Sequence, residues 1–270
     1  MKKFRKFAAL ALAGVLSIGL LSGCGKKEGV TLKVGASPAP HAEILEVVKG
    51  ILAEQDITLE IVEYNDYIVP NEAVESGEND ANYFQHITYM NDFNTEHGTH
   101  LVSAAEIHYE PMGLYAGKTA SLDALADGAQ IGVPNDPTNG GRALLLLQEL
   151  GLITLNDGVG LTPTKLDIKD NPHNYQIEEL EAAQLPRSLD SLDVAVINGN
   201  YAIDGGLKIA DALATESATG TAGTAYVNVL AVKEGRENDE AIQALVKALQ
   251  SQQVKDYIEE NYGGAVVATF

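Results

Sequence analysis

Polar and apolar side chains alternate along residues 31–36, which places Leu32, Val34 and Ala36 on one face and predicts a half-buried strand. Residues 41–55 instead carry their apolar side chains at helical spacing, and residues 57–62 are again rich in β-branched residues. A strand, a helix and a second strand in this order indicate that the two strands pair in parallel.

The same order recurs further along the chain, with a strand predicted at residues 130–133, a helix at 140–150 and a strand at 192–197. The predicted fold class is therefore α/β with parallel strands. Residues 238–262 have the periodicity of one or two amphipathic helices. The stretch 214–225 is rich in Ala, Thr and Gly, and it is predicted to be a flexible surface loop.

Two more apolar runs, residues 112–116 and 226–232, bracket the middle of the chain and predict a pair of crossings between two lobes. We expect one lobe to comprise residues 30–118 together with residues 225–270. The second, inserted lobe would then comprise residues 119–224.

The N-terminus has the pattern of an export signal. Four basic residues among the first six precede an apolar run over residues 7–21, which is shorter than the roughly 20 residues of a membrane-spanning helix. The sequence Leu21-Ser-Gly-Cys24 follows, and it resembles the bacterial lipobox, in which the cysteine is lipidated. We predict a signal peptide at residues 1–23, lipidation of Cys24 and a polar tether over residues 24–29. An ordinary secretory signal with a chance cysteine is the alternative.

The cysteine content and the charge of the chain exclude some classes of function. Cys24 is the single cysteine, so an internal disulfide is excluded and a hydrophobic core must hold the fold. The net charge is −20, although four of the 18 basic residues lie in the predicted leader. Such a surface repels nucleic acid and anionic lipid, which excludes nucleic acid as a partner and leaves the lipid anchor to hold the protein at the membrane.

The segment from Val133 to Arg142 packs two prolines, two glycines and two asparagines between a strand and a helix. Thr138 or Asn139 is expected to cap the helix, with Arg142 in its first turn. Free backbone N–H groups and a guanidinium together suit a carboxylate or a phosphate. The alternative is that Arg142 points to solvent or pairs with Asp136.

A second candidate lies around residues 80–89. If residues 82–86 run extended, Phe84 and His86 point to the same side and line a slot that suits an apolar or thioether side chain. The alternative is a core Phe84 and a surface His86. Asn198 follows an apolar strand and Asn228 lies within one, so either amide could accept hydrogen bonds from an ammonium group, or be a plain turn residue.

Enzyme motifs are absent, because the sequence contains neither a Gly-x-Ser-x-Gly elbow nor a His-Glu-x-x-His metal motif. We therefore predict a protein that is not an enzyme and needs no cofactor. His97 and His100 are spaced so that one helical turn could clamp a metal, but the chain has no His-rich acidic loop.

Several blocks occur in one order along the chain, and together they resemble the methionine-binding lipoproteins of the MetQ or NlpA family. The blocks span residues 64–73, 80–86, 133–142, 180–189 and 263–266. The resemblance implies a two-lobe, periplasmic-binding-protein-like fold of type II, which closes on L-methionine or a close analogue. It also implies an ABC permease with its ATPase as partners, and a lipid-anchored location on the extracytoplasmic face of the cell membrane.

The same resemblance implies roles for individual residues. Arg142 would hold the methionine carboxylate, while Asn198 and Asn228 would serve its other polar backbone atoms. Asn139 belongs to the same ligand-binding set, and no role is assigned to residues 106–111. The residues implied to enclose the thioether are Tyr67, Phe84, His86 and Tyr89.

Three alternatives stay open at this point. The same scaffold could bind another amino acid or a methionine-containing peptide, since one extra methylene changes binding by only about 1–3 kcal/mol. A surface adhesin and a metal-binding lipoprotein are alternatives from other classes.

Overall fold

A computed structural model of the chain describes residues 29–217 and 222–270. The predicted signal peptide, Cys24 and tether residues 24–28 lie outside the described residues. Within the described ranges, no helix combines the length and the apolar character that crossing a membrane requires.

Strands and helices alternate along most of the described chain. The strands are β1 Val30–Ala36, β2 Ile57–Glu63, β3 Ala81–His86, β4 Leu101–Tyr109, β5 Gly113–Ala116, β6 Gln130–Pro134, β7 Thr154–Leu155, β8 Ile168–Asp170, β9 Gln176–Leu180, β10 Val194–Ile197, β11 Ala214–Thr215, β12 Val227–Lys233 and β13 Val267–Ala268. The helices are α1 Glu43–Ala53, α2 Val69–Ser76, α3 Ile87–His97, α4 Pro137–Glu149, α5 Leu185–Ser188, α6 Gly199–Asp204, α7 Ala222–Ala225, α8 Glu240–Leu249 and α9 Gln252–Tyr262.

Two mixed sheets contain eleven of these strands, while β7 and β8 pair with each other in a separate antiparallel sheet. The first has the order β13-β4-β12-β3-β1-β2, and the second has the order β11-β5-β10-β6-β9. β1 pairs in parallel with β2 and β3, and β6 pairs in parallel with β9 and β10, whereas β12 and β5 run antiparallel to their neighbours. The predicted α/β class and two-lobe arrangement with two crossings are confirmed.

Each sheet has its own hydrophobic core. In the first lobe, α1 turns Ile44, Leu45 and Val48 inward against the sheet, where all three are fully buried. In the second lobe, α4 packs Leu146 and Leu147 onto its sheet in the same way. Two separate cores allow the lobes to move against each other as units.

The chain crosses between the sheets earlier than predicted. β5 pairs with β10 and β11 of the second sheet, while β4 pairs with β12 of the first. The first crossing therefore falls at residues 110–112 rather than after residue 118, because backbone pairing, not hydrophobicity, decides the sheet to which a short apolar strand belongs.

Two local predictions were also wrong. Of the predicted surface loop 214–225, residues 218–221 lie outside the described residues, and the described part contains β11, the buried Glu216 and α7. Helix α4 begins at Pro137, and its N-cap is Asp136 rather than Thr138 or Asn139. Arg142 consequently lies in the second turn of the helix, not in the first.

Candidate functional site

A cavity lies in the cleft between the lobes, where β3 and β10 end and the first crossing passes. It encloses about 330 Å³ of empty space, counted with its opening to solvent. Its lining residues are Tyr67, Phe84, Gln85, His86, Tyr89, Glu110, Asn139, Arg142, Asn198, Gly199, Asn200 and Asn228.

Aromatic rings form one end of this cavity. The ring of Tyr67 lies 5.7 Å from that of Phe84 and 5.6 Å from that of Tyr89, measured between centroids. On its other side Tyr67 stacks at 4.9 Å on Tyr201 of the second lobe. Rings at these distances form a continuous apolar surface, as a thioether or alkyl chain requires.

A series of side-chain hydrogen bonds connects the lobes beside these rings. The His86 imidazole accepts the backbone N–H of Tyr89 at Nδ1, so we assign its proton to Nε2, which donates to Asn139 Oδ1 at 3.1 Å. Asn198 Nδ2 donates to the same oxygen at 2.7 Å. Burial, reinforced by the nearby Arg142, lowers the pKa of His86 to about 3, so the ring stays neutral.

Glu216 holds the buried guanidinium of Arg142. Arg142 Nε donates to Oε1 at 2.9 Å, and its Nη2 donates to Oε2 at 2.6 Å. The same Oε2 accepts the Tyr109 hydroxyl at 3.0 Å and the Met112 backbone N–H at 2.9 Å. Glu216 thus fixes the guanidinium against the first crossing.

The Arg142 side chain also lines the cavity. The ring of Tyr226 lies 4.2 Å from the guanidinium carbon, so one face of the group is stacked. In the part of the chain that the structure describes, Nη1 donates no hydrogen bond. Burial alone would lower the pKa of Arg142, but Glu216 more than offsets it and the pKa is raised, so the group stays charged.

Glu110 is a second buried carboxylate, only 5% exposed, at the first crossing. Its Oε1 lies 2.7 Å from His108 Nε2 and 3.3 Å from His41 Nε2. The backbone N–H of Asn200 in α6 also hydrogen-bonds this carboxyl group. Burial raises the pKa of Glu110, while His41, Arg142 and the Asn200 N–H oppose that shift.

Glu110, His41 and His108 are also the group, within the described residues, whose ligand atoms lie close enough together to hold a metal ion. The two imidazole Nε2 atoms of this group already make hydrogen bonds. His41 Nε2 lies at hydrogen-bonding distance from Asn228, and His108 Nε2 lies at that distance from Glu110. His97 and His100, the pair that the sequence offered as a metal clamp, do not belong to this group.

The structure therefore brings together all eight residues that the sequence predicted for a ligand site: Tyr67, Phe84, His86, Tyr89, Asn139, Arg142, Asn198 and Asn228. Their role in binding stays a prediction. Sequence reasoning missed Glu110 and Glu216. The only available signals were an acidic residue directly after the buried strand β4, and an isolated acid within an Ala/Thr/Gly stretch.

Comparisons with known proteins agree with this geometry. The family model for NlpA lipoprotein matches residues 32–270. The D-methionine-binding lipoprotein MetQ of Salmonella typhimurium is 43% identical, and the match covers 98% of each chain. The membrane lipoprotein TpN32 of Treponema pallidum is 42% identical, with 97% of this chain and 98% of the relative covered.

Solved structures give the same result. A lipoprotein from Ruminococcus gnavus is 55% identical with a TM-score of 0.88, and the match covers 89% of this chain and 99% of the other. A nutrient-binding protein from Burkholderia cenocepacia, solved bound to methionine, is 42% identical with a TM-score of 0.85. That match covers 88% of this chain and all of the other.

Proposed function

The chain belongs to the NlpA lipoprotein family, and on that premise we propose that it is the solute-binding component of an ABC importer, which binds L-methionine between its lobes and delivers it to the permease. The methionine bound to the Burkholderia cenocepacia relative supports this ligand. The protein is a receptor rather than an enzyme, and transport energy comes from the ATPase of its partner.

The observation that carries the proposal is a cavity with a cationic edge at one end and aromatic rings at the other. Arg142 lines the cavity, and Glu216 accepts from its Nε and Nη2, so Nη1 is the group that we expect to reach the ligand. The methionine carboxylate accepts from this edge in a charge-assisted hydrogen bond. Asn228 accepts from His41 at its Oδ1, so its Nδ2 group serves as a second donor.

The thioether occupies the aromatic end. Tyr67, Phe84 and Tyr89 surround that end, and Phe84 and Tyr89 are no more than 9% exposed. Sulfur makes favourable contacts with aromatic rings, worth about 0.3–1.5 kcal/mol. His86 and Asn139, which share a hydrogen bond, also line the cavity.

Contacts across the cleft support a hinge-closure mechanism. The Tyr67 hydroxyl of the first lobe donates to Asn200 Oδ1 of the second at 2.6 Å, and the Tyr201 hydroxyl donates back to the Asn65 carbonyl at 3.3 Å. A ligand that touches both lobes stabilises this closed form, which the permease then recognises.

We also propose the location that the N-terminus predicts. Lipidation of Cys24 would anchor the protein at the extracytoplasmic face of the membrane. The polar residues 25–29 would hold the lobes close to the permease, since tethering raises the effective concentration of the two partners.

Isothermal titration of the purified chain with L-methionine tests the function, after mass spectrometry has identified any ligand retained through purification. We expect saturable one-to-one binding. A chain that binds no methionine, but that another amino acid or a methionine-containing peptide stabilises in a thermal-shift screen, would establish the alternative ligand. Stabilisation by zinc alone would indicate a metal receptor, and no response to any solute would favour an adhesin.

A further inference from the structure

The Tyr67 side chain separates the ligand cavity from a second cavity between the lobes, and we propose that Asn200 and Tyr201 are positioning residues that hold it there and thereby set the longest side chain that the receptor accepts. This inference rests on the proposed function, which places the ligand thioether against Tyr67. It deepens that function by naming the residues that decide between methionine and amino acids with longer side chains.

The second cavity, which we call the outer cavity, is also lined by both lobes. It encloses about 700 Å³ of empty space, counted with its opening to solvent. The first lobe contributes Asp66, Tyr67 and Tyr89 to its lining, and the second lobe contributes Ala182 and Tyr201. Tyr67 and Tyr89 line both cavities, so their side chains form the wall that the two cavities share.

The backbone of Tyr67 is fixed by its own lobe. Tyr67 lies in the segment that joins β2 to α2, where Asp66 Oδ1 accepts the backbone N–H groups of Ile68 and Val69, each at 2.8 Å. The backbone carbonyl of Tyr67 accepts the Tyr89 hydroxyl at 3.2 Å. These bonds fix the backbone but not the side-chain rotamer, which the contacts of the ring and the hydroxyl decide.

The second lobe holds the Tyr67 side chain in place. The hydroxyl donates to Asn200 Oδ1 at 2.6 Å, and the ring stacks on that of Tyr201 with 4.9 Å between centroids and 29° between planes. Burial raises the pKa of Tyr67, so the hydroxyl keeps the proton that it donates. A ligand side chain that reaches past the Tyr67 ring must therefore break both contacts.

Asn200 and Tyr201 are themselves anchored. Asn200 is 4% exposed, and its backbone N–H donates to the carboxyl group of Glu110, whose charge attracts a ligand ammonium group at the polar end of the cavity. Tyr201 is buried and packs in the same apolar cluster as Leu185 and Ile197. The wall between the cavities is thus attached to the core of the second lobe.

The wall discriminates between ligands by what each complex keeps. In the proposed complex methionine ends before the Tyr67 ring, so the hydrogen bond to Asn200 and the stack on Tyr201 stay formed. A longer side chain displaces the ring toward the outer cavity, and its complex forms without these contacts. The ratio of the two affinities reports this difference alone, because the same free protein is the reference for both ligands.

The test uses the full-length protein and two ligands, L-methionine and S-butyl-L-homocysteine, which carries a butyl group where methionine carries a methyl group. We expect the wild type to bind the butyl analogue at least about tenfold more weakly than methionine in calorimetric titrations, because extra methylenes in a packed site displace its side chains.

Two substitutions remove the hydrogen bond from opposite sides. Asn200→Ala removes the acceptor and Tyr67→Phe removes the donor, while both keep the ring at position 67. Each should reduce the preference for methionine by about threefold to tenfold, as the loss of one hydrogen bond predicts. The double variant should reduce it no further, because both substitutions remove the same bond. Asn261→Ala, at an exposed position on α9, is the control and should leave the preference unchanged.

Two further variants change the rings. Tyr201→Leu removes the stacking partner but keeps an apolar side chain, and it should also reduce the preference for methionine. Tyr67→Ala opens the wall between the cavities, so it should bind the butyl analogue at least about threefold more tightly than the wild type does. A misfolded variant cannot produce such a gain.

The outcomes separate this inference from the proposed function. If the wild type binds methionine and binds the butyl analogue within about threefold of it, the inference is disproved while the receptor function stands. If the wild type binds neither ligand, the receptor function itself fails. Equal losses for both ligands in Asn200→Ala would also disprove the positioning role, because a residue that acts only through Tyr67 cannot weaken a complex in which Tyr67 is displaced.

Discussion

The two ends of the cavity are built in different ways. The aromatic end takes Tyr67, Phe84 and Tyr89 from one stretch of the first lobe, and these rings touch one another directly. The polar end gathers side chains from distant segments and from both lobes. The residues that line it are Glu110, Arg142, Asn198 and Asn228, and Glu216 pairs with Arg142.

This difference determines what a substitution does. When an aromatic residue is replaced by a smaller one, contact area is lost, and neighbouring rings can partly fill the space. A charged group that is removed leaves its buried partner without compensation, and the penalty of that partner is added to the lost contact. We therefore expect changes at the polar end to exceed changes at the aromatic end.

Arg142→Ala is expected to have the largest effect. It removes the donor for the ligand carboxylate and leaves Glu216 buried without its cation, so methionine affinity should fall by about 2–5 kcal/mol. Titration calorimetry checks the affinity. The exposed Arg187 supplies the control, since Arg187→Ala removes the same charge away from the cavity. Equal affinities for the two variants would contradict the role of Arg142.

Glu216→Gln ranks next and tests whether the polar end acts as a unit. The amide keeps the shape of the carboxylate but loses the charge that orients Arg142, which costs about 1.5–3 kcal/mol. Methionine affinity and the free energy of unfolding should both fall, as measured by titration and by urea denaturation. Glu234→Gln, at an exposed site, should change neither. An unchanged affinity would show that Arg142 needs no orienting partner.

The same contrast explains how far the sequence could predict the structure. Alternation and helical spacing are local, so β1, α1 and β2 could be predicted closely, and Phe84 and His86 could be placed on one wall of a slot. The partner of Arg142 could not be predicted, because Glu216 lies 74 residues away along the chain and directly follows β11, which the fold pairs with β5.

Short strands were the other feature that could not be assigned to a lobe from the sequence. Gly113–Ala116 is apolar enough to fit either lobe, and only its hydrogen bonds to β10 place it in the second sheet. Glu110 was overlooked for a related reason. Its function as an acceptor depends on two histidines that are distant in the sequence. His41 lies in the helical turn before α1, and His108 lies in β4.

A pH titration gives a third test of the polar end. Burial raises the pKa of Glu110, so this carboxyl group takes up a proton at a higher pH than an exposed glutamate does. The groups that face it do not change charge in the same range, since His41 and His108 have lowered pKa values and Arg142 a raised one.

Methionine affinity should therefore be fully present above the raised pKa of Glu110 and fall as the pH drops through it, by up to about 1.4 kcal/mol per pH unit. Titrations from neutral to mildly acidic buffer measure this slope. In Glu110→Gln the slope should disappear. A slope of equal size in that variant would assign the proton to another group, of which the half-buried Asp136, with its raised pKa, is the first candidate.

The smallest expected effect belongs to the aromatic end. Norleucine replaces the methionine sulfur with a methylene of similar size, so it keeps the burial and loses only the contact between sulfur and the rings, about 0.3–1.5 kcal/mol. Competition titrations measure the difference. Replacing Phe84 by leucine should reduce the preference for methionine over norleucine, because the ring is lost while an apolar side chain remains. If norleucine instead binds more weakly than 4-(methylthio)butanoate, which is methionine without its amino group, the aromatic end rather than the polar end governs affinity, and the expected order of effects is reversed.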